Sequence, residues 1–435
     1  MSHMVSSRLK QISPRRGATV AALDVGSSKI ACLIARLSPE RDERGGWRTH
    51  RARTLGIGHQ RSRGVKNGLV VDMDEAELAI RQCVDAAERM AGVQVERIVV
   101  TASGGRLASQ HFAAKTAIGG REVVEADVHR VLEASAHHPM KKGRFVLHSL
   151  PTAFALDGAV DVRAPKHMIG EELSVDLHVA SCDQTAARNL LMAVERGHLT
   201  IDALVAAPYA AGLGVLELDE AEMGVVLIDM GAGSTSISVF LGGGLVHVDA
   251  IMLGGAHVTN DIARVLNTRL SDAERLKTVH GAAISSPSDE RESVSFDNVG
   301  DSSPHSVHAP KSHLVRVIRP RVEETLELLR DRLARAGFGA ATGQRIVLTG
   351  GASQLTGMPE AARRILGGQV RVGRPAGIEG LPEAAATPAF AAAAGLLVYP
   401  QVAGREYFEP RREERRATGT DGYMSRVGRW LIDSF

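Results

Sequence analysis

The chain has 435 residues, 44% of them hydrophobic, and a formal net charge of +2. That length and apolar fraction suit two to four domains with sizeable cores, while a charge so near zero gives no bulk argument for a nucleic-acid partner. No run of about eighteen apolar residues occurs, so no segment reads as a membrane-crossing helix, and the scattered cysteines Cys32, Cys83 and Cys182 fit reduced core thiols of a cytosolic protein rather than a disulfide or metal framework.

Met1-Ser2-His3-Met4 reads as a cloning scar, and residues 5–17 as a basic, polar, mobile arm. Arg15-Arg16 precede an apolar run that Asp24 breaks too soon for a secretory signal. Residues 22–36, ALDVGSSKIACLIAR, form an apolar strand, a turn and a second strand, with Asp24, Gly26, Ser27, Ser28 and Lys29 at the turn. A charged loop at 39–46 leads to a strand pair around 47–59 and a loop of turn residues at 62–70. Residues 74–91 place Ala76, Ile80, Cys83, Val84, Ala87 and Met90 at helical period, with Gly92 as the stop. A buried strand at 95–102 ends in Ser103-Gly104-Gly105.

Residues 104–180 differ in character, with a helix near 126–136 and strands at 145–150 and 173–179. The last alternates Leu173, Val175, Leu177 and Val179, as a half-buried strand should. His137-His138 lacks metal-ligand spacing and reads as surface. A helix at 184–196 and a strand at 201–205 lead into a small-residue helix ending at Leu216, suited to a close-packed crossover between halves.

The second half opens at residues 224–244, GVVLIDMGAGSTSISVFLGGG. A β-branched strand ends in Asp229, a tight turn holds Gly231 and Gly233, Ser234 and Thr235 follow, and a second strand spans 237–241. Glycines let the backbone approach closely, so successive N–H groups can face phosphate oxygens. Ser234 and Thr235 add hydroxyl donors, and Asp229 can hold Mg²⁺ through water. Taken alone, Asp-x-Gly-x-Gly is equally an ordinary hairpin. Residues 22–36 repeat the design about half a chain earlier, however, which implies two like-folded halves, each with one carboxylate and one phosphate-gripping turn.

A strand at 246–253 and a helix at 258–266 come next. Residues 271–281, SDAERLKTVHG, read as a helix capped by Ser271 or Asp272. Its Glu274 and Lys277 share a face, a spacing common in solvated ion pairs. Residues 284–310 are an excursion with a short strand at 293–296, and 314–336 an amphipathic helix that returns to the core. A helix at 359–366 and a strand at 370–372 close the half, with an alanine-rich helix at 388–399 packed beneath it. Residues 401–424 read as a charged linker. In 425–435, Val427, Trp430, Leu431 and Phe435 fall on one helical face flanked by Arg426 and Arg429. Such an element orders on an anionic membrane surface, the alternative being a helix docked on the core.

The paired Asp-x-Gly hairpins resemble the phosphate-1 and phosphate-2 loops of the actin, Hsp70 and sugar-kinase superfamily. Residues 346–358, IVLTGGASQLTGM, look like its adenosine loop, where Gly350, Gly351 and Ser353 would pass flat against the nucleoside. Three further stretches, RSRGVKNGLVVDMDE, DAAERMAGVQVERIVVTASG and HVASCDQTAARNLLMAVERGHL, are similar to the bacterial cell-division family FtsA, in the expected order across residues 20–399. The resemblance implies an α/β, actin-like duplicated ribonuclease-H-type fold with two lobes around a nucleotide cleft. Subdomain 1A would cover 18–103 plus 181–206, and an SHS2-like 1C subdomain 104–180. Subdomain 2A would cover 207–245 plus 325–400, and 2B 246–324.

It also implies ATP and Mg²⁺ as ligands. Asp24 and Asp229 would hold the metal through water, Glu274 and Lys277 would meet ribose and adenine, and the two turns would line the phosphates. The implied partners are FtsZ filaments through 2B, further copies of the chain in an actin-like filament, later division proteins through 1C, and the anionic inner membrane at its cytoplasmic face. Where Hsp70 carries a glutamate before its crossover helix, this chain has Ala207. That departure points to an ATP-binding adaptor with at most weak turnover and no catalytic residue. The alternatives are a kinase or ATPase of the superfamily, a chaperone, for which a substrate domain is missing, and a PilM-like pilus-assembly protein, against which the terminal amphipathic element argues.

Overall fold

Two sheets of matching topology carry the chain in the computed structural model, which describes residues 9, 11–40, 47–136, 141–299, 307–339 and 345–408. The expectations for His137-His138, for most of the linker, and for Arg426, Val427, Arg429, Trp430, Leu431 and Phe435 lie outside the described residues. Among those described, no helix is long and apolar enough to cross a membrane.

The first half begins with an antiparallel meander of β1 (Ala18–Val25), β2 (Lys29–Pro39) and β3 (His50–Arg61). The strand pair expected around 47–59 is the single strand β3, whose Gly56 and Gly58 make no turn but leave room for α1, a Cβ at either striking the Ala87 or Cys83 carbonyl. The small hairpin of β4 (Val65–Lys66) and β5 (Leu69–Val70) turns at Asn67-Gly68, both at positive φ, as a tight two-residue connection demands. Helix α1 (Met73–Ala91) starts where the Asp72 side chain accepts from the Glu75 N–H, stops at left-handed Gly92, and buries Ala76, Ile80, Cys83, Val84 and Ala87 as its period requires. Strand β6 (Arg97–Ala102) then runs parallel to β1.

The inserted subdomain consists of β7 (Ala108–Glu122), α2 (Glu125–Ala136), β8 (Arg144–Leu156), β9 (Ala159–Val162) and β10 (Ile169–Asp183), in the sheet order β7-β10-β8-β9. Its own core gathers Ile118, Val123, Val131, Leu156, Leu173 and Val175. Strand β7 was not expected from the sequence, because Phe112, Ala114, Thr116 and Ile118, which do alternate inward, include only two large apolar residues. Helix α3 (Gln184–Glu195) and β11 (Thr200–Ala206) return the chain to the first sheet, and α4 (Ala207–Val215) leaves it.

After the short α5 (Leu218–Met223), the second half repeats the first. The strands β12 (Val225–Met230), β13 (Thr235–Leu241) and β14 (Gly244–Ile251) form a meander. Helices α6 (Gly255–Val265) and α7 (Leu270–His280), the hairpin of β15 (Ser293–Phe296) with β16 (Val307–Pro310), and the long α8 (Lys311–Arg335) form the excursion. Arg269 occupies the cap of α7 with no side-chain cap bond, so Ser271 and Asp272 sit inside the helix rather than at its start. Strand β17 (Arg345–Thr349), α9 (Met358–Leu366) and β18 (Gln369–Val372) complete the half. The strand orders β3-β2-β1-β6-β11 and β14-β13-β12-β17-β18 correspond strand for strand, and the short β19 (Ile378–Glu379) joins the outer edge of β3.

Helix α10 (Ala391–Val402) overturns one expectation. It packs against α4 and on β1, β2 and β6, not beneath the second sheet, while α4 packs on β12 and β13. The two halves thus exchange helices. Every residue of α4 is buried, and the helices touch so closely that a Cβ at Gly395 would strike the Ala210 carbonyl. Alternation along β12 then divides the cores: Val225 and Leu227 face the cluster shared with α10, Val226 and Ile228 the one shared with α8.

The N-terminal arm docks on α10, and that helix runs on through Val402, which departs from the expected mobile arm and from a linker that begins at 401. Leu9 and Ile12 pack on the core, the Ile12 N–H donates to the Pro400 carbonyl at 3.1 Å, and Gln11 Nε2 to that of Gln401 at 2.7 Å. Val402 and Ala403 are buried with the apolar residues of α10, and Gln401 is buried because its Oε1 accepts from the Thr49 and His50 N–H groups at 2.8 and 3.1 Å.

Candidate functional site

The turns β1–β2 and β12–β13 close with the same hydrogen bond. The Gly26 N–H donates to the Lys29 carbonyl and the Gly231 N–H to that of Ser234, each at 3.0 Å. Asp24 and Asp229 stand just before these turns. A cavity of about 170 Å³ brings together Asp24, Gly26, Ser27, Ser28, Lys29, Asp229, Gly231, Gly233, Ser234, Gly350 and Gly351. The loops meet closely: a Cβ at Gly233 would lie 2.6 Å from Ser27 Oγ, and Gly350, at φ 83°, presses on Asp229. Larger residues at either position would fill the space between the lobes.

Charge in this cavity is unbalanced. Thr101 Oγ1 donates to Asp24 Oδ1 at 2.7 Å and accepts from the Val25 N–H, which fixes the carboxylate. Burial, reinforced by Asp24, pushes the Asp229 carboxyl up to about 7, against the pull of Lys29. Burial also lowers the Lys29 pKa, opposed by Asp24 and then Asp229. Lys29 Nζ donates to the Ala389 carbonyl and sits 3.9 Å from the centre of the Phe390 ring. One ammonium faces two carboxylates, so the site favours additional positive charge.

A second cavity of about 360 Å³ shares Ser28, Gly231 and Gly351 with the first. Thr235, Glu274 and Lys277 line it, together with Gly254, Gly255, Val258, Val322, Thr325, Ala352, Leu355 and Met358. Lys277 is only 14% exposed; its Nζ donates to the Gly255 carbonyl at 3.1 Å, Thr259 Oγ1 at 2.9 Å and Glu274 Oε2 at 2.7 Å. Lys277 is therefore part of a wall, while its partner Glu274 stays 52% exposed at the cavity rim. The start of α6 abuts the β12–β13 turn, Gly255 and Ala256 donating to the Gly231 and Ala232 carbonyls, each at 2.9 Å.

Three of the side chains expected there also make structural hydrogen bonds. Ser27 Oγ accepts from the Gly68 N–H at 2.8 Å, tying the β4–β5 hairpin to the turn. Thr235 is buried and donates to the Leu253 carbonyl at 2.8 Å, so its hydroxyl braces the loop. Ser353 turns inward and donates to the Gly350 carbonyl at 2.7 Å, outside both cavities. Sequence reasoning missed Ser103, Ser236, Pro388 and Ala389 in the first cavity, and Gly254-Gly255 in the second. The glycine pair after β14 mirrors Gly350-Gly351 after β17, which was a usable signal. Val322 and Thr325 carried none.

Duplicated sheets, exchanged helices, a cleft between like hairpins and the inserted four-stranded subdomain define a protein of the actin-like fold. Solved structures agree on the fold. The PilM-PilN type IV pilus biogenesis complex aligns with TM-score 0.60 at 19% identity over 88% of this chain and 98% of that one. MreB5 of Spiroplasma citri bound to ADP aligns with TM-score 0.51 at 13% identity over 89% and 97%. Residues 104–181 match the family described as SHS2 domain inserted in FTSA, and 226–395 that described as Cell division protein FtsA. Cell division protein FtsA of Rhizobium meliloti is 49% identical over 98% of this chain and 97% of its own length, and that of Escherichia coli K12 32% identical over 96% and 98%. The chain belongs to the FtsA family of cell-division proteins.

Proposed function

We propose that the joined cavities bind Mg·ATP and that the protein is a nucleotide-dependent adaptor of the division machinery. The carrying observation is the pair of identically closed turns that bring Asp24, Asp229 and Lys29 to one small cavity. Glycine-walled turns suit a polyphosphate, and the excess of carboxylate over ammonium suits a hydrated Mg²⁺ shared with phosphate oxygens. The larger cavity, with Glu274 and Lys277 on one wall and Val258, Val322 and Met358 around it, suits the nucleoside. Ala207 offers only a methyl to the phosphate cavity, where hydrolysis would need a polar group to orient water. Turnover is therefore slow or absent.

In this reading the protein polymerises with further copies of itself, binds FtsZ through the region from α6 to β16, and receives later division proteins on the inserted subdomain. The amphipathic pattern of 425–435 tethers it to the cytoplasmic face of the inner membrane at the division site. Family membership and the Trp430-centred apolar face with its two arginines support that reading. The test is co-sedimentation with anionic vesicles and Mg·ATP, comparing the full chain with one ending at Met424, with FtsZ filaments in a parallel tube. Pelleting of the full chain alone, with FtsZ following it, is expected. If both chains stay in solution, the tether is wrong.

A further inference from the structure

A second enclosed polar cluster lies at the base of the inserted subdomain, remote in sequence from the nucleotide turns. His148 on β8 is fully buried, and the Glu406 side chain beside it is 1% exposed. The Ala206 N–H donates to His148 Nε2 at 2.9 Å, so the ring proton resides on Nδ1, which donates to Glu406 Oε1 at 2.9 Å. Tyr209 of α4 and Tyr399 of α10 pack edge-on to the same imidazole, with centroids at 4.8 and 5.8 Å. Burial, and after it the Glu406 carboxylate, pushes both phenols above their ordinary range, so they stay neutral. One residue further, the Tyr407 N–H donates to the Ser149 carbonyl at 2.8 Å, and its hydroxyl lies 3.3 Å from His129 Nδ1 on α2. A short segment therefore grips β8 and α2 of the subdomain and, through the same carboxylate, the two exchanged helices.

The grip is incomplete. Glu406 Oε2 is buried with no well-formed hydrogen bond, the Tyr399 hydroxyl being the group that interacts with the carboxylate, which offsets part of what the bond to His148 contributes. Gly404 and Arg405 before it are exposed. The chain continues past Phe408 to Phe435, so a pull on that portion acts first on Tyr407 and Glu406. At its other end α10 reaches the phosphate cavity, where Ala389 just before it accepts from Lys29.

We propose that Glu406 and Tyr407 form a releasable clasp. With Glu406 seated against His148 the inserted subdomain is held to α4 and α10, and withdrawal of residues 406–408 removes that tether, leaving the bonds of Ser109 to Val248 and of His178 to Leu245 on β14 as the pivot about which its angle to the lobes changes. The device is a two-position contact, not a continuous deformation. It stands independently of the membrane reading, which would only supply one source of pull.

The test uses the full chain with spin labels at A117C on β7 and M90C on α1, both exposed positions; the three native cysteines are buried. Distance distributions and amide exchange are compared for the unaltered chain, E406A and E406Q. E406A is expected to broaden or shift the distance and to raise exchange across 144–150 at least tenfold, with exchange in α1 and Mg·ATP affinity unchanged. E406Q keeps an acceptor for His148 Nδ1–H and is expected to match the unaltered chain. An unchanged distance and exchange in E406A overturns the clasp. So does an equal rise of exchange in α1, because that reports a general loss of stability.

Discussion

Asp229 shows how the cavity between the two turns is tuned by single residues. Its folded-state pKa is raised from 3.8 to about 7 by burial and by Asp24. The sign follows from linkage: a raised carboxyl contributes stability fully present below its unfolded value and lost as pH rises through the folded value. Without nucleotide, the protein should lose stability between about pH 4 and 7 by on the order of a few kcal/mol relative to D229N. Denaturant unfolding in EDTA across that range reads this directly; parallel curves for the two proteins would show that Asp229 carries no penalty. D229N should also lose Mg·ATP affinity, seen by calorimetry. By contrast S353A should cost about 1 kcal/mol of stability and leave affinity intact, since its hydroxyl braces Gly350 from outside the cavities. A large loss of affinity in S353A would restore it to the nucleoside wall. The sequence pattern identified Ser353 by its place in a loop, but direction of a side chain depends on which carbonyl lies nearest, and here that is Gly350's own.

At the level of elements, α4 and α10 are the pieces that make two similar halves into one molecule. Their contact depends on small residues, with Gly395 against the Ala210 carbonyl. G395A forces the helices apart and should destabilise the protein by about 3 kcal/mol, measurable as a shift in the denaturation midpoint at unchanged slope. A neutral result would mean that the helices can separate without loss. The Ala/Gly composition of α4 announced close packing in the sequence, but not that α10 would cross to the first sheet. Helical period marks an apolar face, and α10 is buried along its whole length, so no face singled out a partner. The unexpected β7 has a similar cause: Ala113, Ala114 and Ala117 pair with β10 through the backbone, which any small residue permits.

Over the whole molecule, the cleft joins residues from both halves, so a bound nucleotide should stabilise both at once. Mg·ATP at about a hundredfold over its dissociation constant should add about 2.7 kcal/mol, with protection against amide exchange at both turns, 24–29 and 229–235. Protection of one turn alone would argue against a ligand bridging the halves. The inserted subdomain has its own small core and meets the lobes away from the two turns, so it should be less affected than they are.

Local chemistry, written in adjacent residues, was determined by the sequence alone. The strand–turn–strand units around Asp24 and Asp229 and the α1 stop at Gly92 follow from propensities and periods acting over a few positions, the duplication follows from the repeat of that design half a chain apart, and the loop of Gly350 and Gly351 was legible through its family resemblance. Tertiary structure alone decided which distant surfaces meet. Val322 and Thr325 on α8 line a cavity only because that helix folds back over α6; Thr235 and Ser353 brace loops because the nearest acceptors lie there; and Glu406, in a stretch of charged residues that reads as linker, is buried because His148 stands opposite it. Such contacts join residues far apart in the chain, and no local period encodes them; they exist only once the two sheets and the exchanged helices are in place.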